Sequence, residues 1–332
     1  MRVARLHGPG EIELHEEPVP EPAAGETLVY VRAVGVCGSD LHWWTDAGIG
    51  DTQLGAPLVL GHEFAGSTPS GERVAVDPAI TCGECEMCRG GSPNLCSRLA
   101  FAGHGKQDGA FREALVWPTR CLHVLPDALS FEEGALLEPL GVALHAVDLG
   151  GIRAGAVVGV FGCGPIGLLI AQLARVSGAT TIVATDVLPH RVEAATGCGA
   201  HHALLAKESD VVARIKAITH DRGLDVAFEA AGEQDAVDAA VAAAAPGGTV
   251  VLVGIPSSDL TAFRASEARR KELKIQLVRR MKNTYPRAIR LVSSGAVDLR
   301  SLVTDRYPLG AIGEAFSAAQ ARKGLKVLVE PG

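Results

Sequence analysis

Up to about residue 120 the chain alternates short runs of β character with turns: "EIELHEEPV", "TLVYVRAVGV", "FAGSTPSGERVAV" and "FREALVW". Long helical periodicity is scarce there, so this part predicts a mostly antiparallel β-domain. Residues 131–151, "FEEGALLEPLGVALHAVDLGG", space their apolar positions as a helix does and close on two glycines, a helix stop. The texture then changes. "VVGVF" is a wholly apolar strand, followed by a glycine turn and the helical "PIGLLIAQLARVSG". "TIVAT", "HHALL", "LDVAFEA", "TVVLVG" and "LKIQLV" continue as strands, with helices at "PHRVEAATGCGA", "DVVARIKAITH" and "QDAVDAAVAAAA", the last running into "PGG". Continuous apolar strands alternating with helices predict an α/β, doubly wound parallel sheet. From about residue 280 short elements return. There "DRYPLGAIGEAFSAAQARKGLKVLVEPG" reads as a helix plus an edge strand that folds back onto the first domain. The expected division is 1–140 with 280–332 for one domain and 141–279 for the other.

Composition fits this picture. A chain of 332 residues exceeds what one core usually serves, so two domains are expected. The hydrophobic content of 47%, with 39 glycines and 4% aromatics, suits buried aliphatic strands joined by tight turns. A net charge of −7 argues against nucleic acid or an anionic membrane as partner. The most apolar stretch, "AGAVVGVFGCGPIGLLIAQLA", approaches membrane-span length, but its Gly-Pro break splits it into a buried strand and helix. The opening "MRVARLHGPGEIELHEEPVP" carries no apolar signal core, and the expected location is the cytoplasm.

Half of the eight cysteines fall in "TCGECEMCRGGSPNLC", at Cys82, Cys85, Cys88 and Cys96. Glycines and a proline interrupt the stretch, so neither helix nor strand is expected. A disulfide knot, an iron–sulfur site and a structural zinc site compete for it. An unsecreted chain disfavours disulfides, and clustered thiols then point to metal.

"GVFGCGPIGLL" holds Gly162, Gly164 and Gly167 in G-x-G-x-x-G order between an apolar strand and a helix start, the context of a dinucleotide site. Gly162 permits the tight turn, Gly164 lets the backbone approach a pyrophosphate, and Gly167 lets helix and strand pack closely. Pro165 and Ile166 open the helix whose N-terminus favours the anion. Asp186 ends the second strand, 19 residues beyond Gly167. There a carboxylate accepts from both ribose hydroxyls of NAD(H) and repels a 2′-phosphate, so NAD is preferred over NADP(H); a turn aspartate capping the next helix is the plainer alternative. Arg191 joins the cofactor-binding set.

A second ligand-bearing set lies in "GVCGSDLHWW", "LGHEFAG" and "LLEPLG": Cys37, His62, Glu63 and Glu138. Such donors from distant segments suit a zinc ion with one position open for water or substrate. Alone, Cys37 reads as a small core residue, His62 as a turn histidine and Glu138 as a helix cap.

With "GVCGSDLH", "GHEFAG", "CGECEMCRGGSPNLC", "EPLGVALHA" and "GCGPIGLL" in this order, the sequence resembles the zinc-dependent medium-chain dehydrogenase/reductase family over nearly its whole length. The resemblance implies a GroES-like catalytic domain joined to a Rossmann domain, and two zinc ions per chain. Cys37, His62 and Glu138 would surround the catalytic ion, with Glu63 a ligand or close neighbour and Asp40 orienting His62. The four-cysteine loop would hold the structural ion, a closed tetrahedral site pinning a loop with little core of its own. Hydride chemistry needs no one-electron centre, which removes the iron–sulfur reading.

The implied reaction is oxidation of an alcohol, with hydride passing to the nicotinamide and the proton leaving through Ser39 and His42. The segment "VRRMKNTYPRAIRLVSSGAVDLRSLVTDRYPL" resembles that of sorbitol, xylitol and arabinitol dehydrogenases, with Trp43 and Arg280 as substrate contacts. Met281 after Arg280, and Trp43 after His42, stand where those enzymes carry or often carry tyrosine, which makes the pocket less polar. Threonine-, butanediol- or cyclitol-type dehydrogenases are the alternatives within the family. A non-catalytic zinc-binding protein is the alternative outside it, and the second ligand set argues against that. The resemblance also implies a homodimer or homotetramer paired through the edge strand after "TVVLVG".

Overall fold

The computed structural model describes residues 1–206 and 210–332, which divide into two compact units. The first comprises Met1–Pro139, Tyr285–Gly295 and Leu299–Gly332; the second comprises Leu140–Thr284 and Ala296–Asp298.

The first unit opens with an antiparallel hairpin of β1 (Arg2–Gly8) and β2 (Glu11–Glu16). Next come β3 (Glu26–Gly35), helix α1 (Gly38–Asp46) and the two-residue strands β4 (Gly48–Ile49) and β5 (Thr52–Gln53). Strands β6 (Glu63–Ser67) and β7 (Arg73–Val76) follow, then β8 (Ala79–Ile80), a one-turn helix α2 (Glu86–Arg89) and β9 (Ala100–Phe101). Strands β10 (Ala114–Pro118) and β11 (Leu122–Val124) lead into the long helix α3 (Phe131–Gly150), inside which the unit boundary falls.

The second unit alternates as its apolar pattern requires: β12 (Val157–Phe161), α4 (Pro165–Val176), β13 (Thr181–Asp186), α5 (Pro189–Gly197), β14 (His202–Leu205), α6 (Val211–Ile218), β15 (Leu224–Glu229), α7 (Gln234–Ala243), β16 (Ala244–Leu252), α8 (Ala265–Arg270) and β17 (Lys274–Leu277). Its six strands pair in parallel in the order β14-β13-β12-β15-β16-β17, a doubly wound sheet. Each crossover supplies a helix to cover the sheet, which is why β12 and β13 are apolar on both faces. The chain returns to the first unit with α9 (Tyr285–Ser293), β18 (Val303–Pro308), α10 (Ile312–Ala321) and β19 (Lys326–Glu330).

In the first unit's seven-stranded sheet the order is β11-β7-β6-β3-β19-β18, with β10 also on β3. The closing segment therefore holds two strands, not the expected single edge strand. β19 is interior, antiparallel to β3 and parallel to β18, and only β18 is an edge. The alternating exposure of β18 hides it from a search for apolar runs. "AAPGG" also belongs to strand β16 and not to the end of a helix, since α7 stops at Ala243. The cysteine segment, expected to be neither helix nor strand, contains the helical turn α2 and a 3₁₀ turn at Pro93–Leu95; both are too short to leave a periodic trace. Among the described residues, no helix is long and apolar enough to cross a membrane.

Candidate active site and metal centres

The site in the first unit is built where strands end. Cys37 follows β3 and caps α1, while His62 immediately precedes β6, the antiparallel neighbour of β3, and Glu63 begins it. One ligand atom each of Cys37, His62 and Glu63 lies within 4.8 Å of the others. Asp40, fully buried on the first turn of α1, is the organiser. Its Oδ2 accepts from the Cys37 amide at 2.9 Å and its Oδ1 from the Gly61 amide at 3.3 Å. The same Oδ1 lies 3.4 Å from His62 Nδ1, which leaves Nε2 as the donor atom toward a metal. Burial opposes a charge on His62, but Asp40 and Cys37 outweigh it and hold the imidazole well above its usual range.

Ser39 Oγ lies 3.3 Å from His62 Nε2, at the same focus. His42 instead faces Asp46, with Nδ1 3.7 Å from the carboxylate one helical turn on. Glu138, on α3, is buried but is not among the converging donor atoms. Burial, the largest influence, pushes its carboxyl up to about 7; the charge of His62 works against the rise and that of Glu63 with it. Trp43, expected to contact substrate, packs in the core at 1% exposure with its ring edge-on to His104, because it lies on the buried side of α1. Arg280 belongs to the second unit, where it takes a left-handed φ of 54° beside the buried Met281. Thiol, imidazole and carboxylate donors focused on one point, with the imidazole fixed by a carboxylate, fit a zinc ion.

The four cysteines converge likewise. Their sulfurs all lie within 4.8 Å, with Cys82–Cys88 at 3.9 Å and Cys82–Cys96 at 3.5 Å. Ligands at about 2.3 Å around a tetrahedral zinc sit roughly 3.8 Å apart, so this cage matches the ion. None of the eight cysteines is in a disulfide. Main-chain N–H groups of Glu84 and Cys85 hold the Cys82 thiol down to about 6, which favours the ligating thiolate.

In the second unit β12 is followed by Gly162, whose φ of +100° favours glycine and whose added Cβ would strike the Ala231 amide. A Cβ at Gly167 would overlap the Gly162 carbonyl, so only glycine lets α4 approach the turn. At Gly164, the N-cap of α4, a Cβ would meet only an Arg191 Nη1 at 3.7 Å, so the turn is open to a phosphate on that side. Pro165 and Ile166 form the first turn of that helix. Asp186 ends β13, with Oδ2 accepting from the Cys163 amide at 2.7 Å and Oδ1 from the Leu188 amide at 2.9 Å. The N-cap of α5 is Leu188, so Asp186 is not a helix cap. Each oxygen keeps a lone pair for a ribose hydroxyl. Glycine turn, helix N-terminus and strand-end carboxylate together fit a dinucleotide.

A model of the alcohol dehydrogenase GroES-like domain matches residues 23–127, and one of the zinc-binding dehydrogenases matches residues 165–294. Sorbitol dehydrogenase of Bacillus subtilis is 39% identical over 343 residues, covering 100% of this chain and 97% of its own. The chain belongs to the zinc-dependent medium-chain alcohol dehydrogenases. As a member of that family it is an oxidoreductase of alcohol groups, with a GroES-like β-unit and a Rossmann unit. Among solved structures, (2R,3R)-butanediol dehydrogenase of B. subtilis superposes with a TM-score of 0.89 at 31% identity, over 100% of this chain and 99% of its own. A Sinorhizobium meliloti chain bound to NADP gives 0.91 at 33% identity, over 99% of each.

Sequence reasoning missed one member of this dehydrogenase's site. Lys326 opens β19, is 4% exposed, forms an ion pair with Glu63 Oε2 and donates to the Val36 carbonyl at 2.9 Å. Burial opposes its charge, but Glu63 and Cys37 outweigh that and raise it. The signals were slight: a lysine at the head of the apolar "KVLVE", and Gly35, where a Cβ would overlap both Glu63 and Lys326.

Proposed function

We propose that the enzyme oxidises a secondary hydroxyl of a polyol to a ketone, using zinc at the Cys37 site and NAD. The observation that supports this most is the focus of Cys37, His62 and Glu63 donors on one point, with the Ser39 hydroxyl beside it. When bound, the zinc supplies Lewis-acid polarisation of the alcohol and the nicotinamide supplies the hydride acceptor. The chain's own residues do the rest. Asp40 locks the His62 ring with Nε2 at the focus. Ser39 takes the proton that the alcohol loses, and His42 passes it toward solvent, its side chain 24% exposed and oriented by Asp46. Lys326 balances the buried Glu63 carboxylate and so keeps the donor set near neutrality. Glu138, raised by burial, stands in reserve as an exchangeable neighbour of the metal.

The polyol class is supported by the likeness to sorbitol dehydrogenase across the whole chain. A vicinal diol is the second reading, supported by the butanediol dehydrogenase superposition. Asp186 favours NAD, since a 2′-phosphate would meet its carboxylate; the relative bound to NADP makes Arg191 the residue to test for the opposite preference. The four-cysteine cage holds a second, structural zinc. Association into a dimer or tetramer through β17, the sheet edge where Leu277 is 73% exposed, completes the proposal.

The deciding experiment follows cofactor reduction by zinc-replete protein on sorbitol, xylitol, cyclitols, 2,3-butanediol and threonine, with NAD⁺ and NADP⁺ in parallel. Turnover led by the polyols with NAD⁺ is expected. Turnover led by butanediol would select the second reading. Silence on every alcohol, from protein that binds both zinc and cofactor, would overturn the polyol assignment.

A further inference from the structure

A third group of metal-ligating side chains lies outside both zinc sites, on the hairpin β1–β2. His7 Nε2 and His15 Nε2 stand 2.9 Å apart, and Glu13 Oε2 is 4.0 Å from each. All three are within reach of a single ion. His15 and Glu13 lie across the ladder from Val3 and Arg5. His7 sits at a break in the register, where Leu6 pairs with Ile12 and Gly8 with Glu11, so His7 has no partner across the ladder. A bulge of this kind re-aims one side chain, and here the imidazole meets that of His15, ring centroids 5.1 Å apart. Arg5, opposite Glu13, does not repel a cation, because its guanidinium is held by Glu17 and Asp108.

We propose that His7, Glu13 and His15 form a binding site for one divalent ion of the zinc, nickel and copper group. Two imidazoles and a carboxylate are the donors these borderline ions prefer, whereas magnesium and calcium demand oxygen. The rings already sit at a separation that suits neighbouring ligands of one ion. The Glu13 side chain, 67% exposed, needs only a rotamer change to join them. Three protein ligands on an exposed surface leave positions for water, so the ion exchanges more readily than one in a closed cage. Its effect is local: it staples β2, which among the described residues pairs with β1 alone, in a two-stranded sheet of a kind that is marginal by itself.

The test uses the untagged full chain, with equilibrium dialysis against micromolar Zn²⁺ and the bound metal counted. Wild-type protein is expected to hold one ion more per chain than the His7→Ala/His15→Ala variant, with alcohol turnover equal in both. Glu13→Gln is expected to keep the ion but weaken it at least about tenfold, since it removes a ligand where loss of a group that merely orients one already costs about that much. Excess Mg²⁺ should leave the count unchanged. Equal counts for wild type and double variant, or displacement by Mg²⁺, would overturn the site. Because the readout is a difference between two proteins, it stands whatever the occupancy of the two cysteine-containing sites or the identity of the alcohol.

Discussion

The four-cysteine loop and the Cys37–His62–Glu63 focus use similar chemistry on opposite foundations. The loop offers thiols at 3.5–3.9 Å from segments with little regular structure and few buried side chains. Its ion would replace a core that the segment cannot build. The other site is laid into the sheet itself: β3 and β6 place the donors, Asp40 ties Cys37, Gly61 and His62 together, and Lys326 balances Glu63. There the protein already holds the geometry, and a zinc bound to it would add reactivity. Metal loss should therefore disorder the first region and merely silence the second.

The sharpest break between them is a ligand exchange at each. His62→Ala should lower alcohol turnover by about 10³-fold or more, the several kcal/mol that Lewis-acid stabilisation is worth, with the circular-dichroism melt nearly unchanged. Cys88→Ser should do the reverse: an earlier melt and new proteolytic cleavage within residues 81–96, with residual turnover in protein that stays folded. If both variants lose activity and stability together, the two foundations are not distinct.

Next in size is Lys326→Met, which strands the Glu63 carboxylate at 1% exposure. Breaking a buried pair costs about 3–5 kcal/mol, so chemical denaturation should show a loss of that order, and Lys326→Met with Glu63→Gln should recover much of it. Asp40→Asn keeps the shape but loses a charge beside His62, and should weaken zinc at this site roughly 10–100-fold in chelator competition while leaving the cysteine cage saturated.

The smallest effect lies at the root of the loop. Burial raises the Asp77 carboxyl to about 6, against an ordinary 3.8. Between those values the folded state binds more protons than the unfolded one, so this group's contribution to stability falls as pH rises through about 4 to 6. Asp77→Asn should flatten that decline, by about 3 kcal/mol at most, in denaturant titrations across the window.

Much of this was legible in the residues. "VVGVF" names its strand to the residue because a strand covered on both faces must be apolar throughout. The cysteine spacing and the glycine turn are local motifs, so short windows contain them. What escaped depends on distant partners. Lys326 is an ordinary surface residue until Glu63, far away in the chain, is folded against it, and no periodicity encodes that meeting. β18 escaped because an edge strand exposed on one face alternates like many loops. Trp43 was named as a substrate contact from the resemblance alone; its packing in the core at 1% exposure follows from its place on the buried side of α1, which the short window around it does not reveal.

The interior place of β19 also bears on the order in which the molecule can be made. Its lysine reaches a carbonyl 290 residues earlier. The ribosome must therefore release β19 before the first unit's sheet can close, while the second unit, almost all of it from the continuous run Leu140–Thr284, is free to fold ahead of it. Until then β3 offers an unpaired margin and Glu63 a carboxylate without its counter-charge. A nascent enzyme thus completes its cofactor-binding half first and acquires a working metal centre last, so stalled or truncated translation products would bind dinucleotide without turning over alcohol.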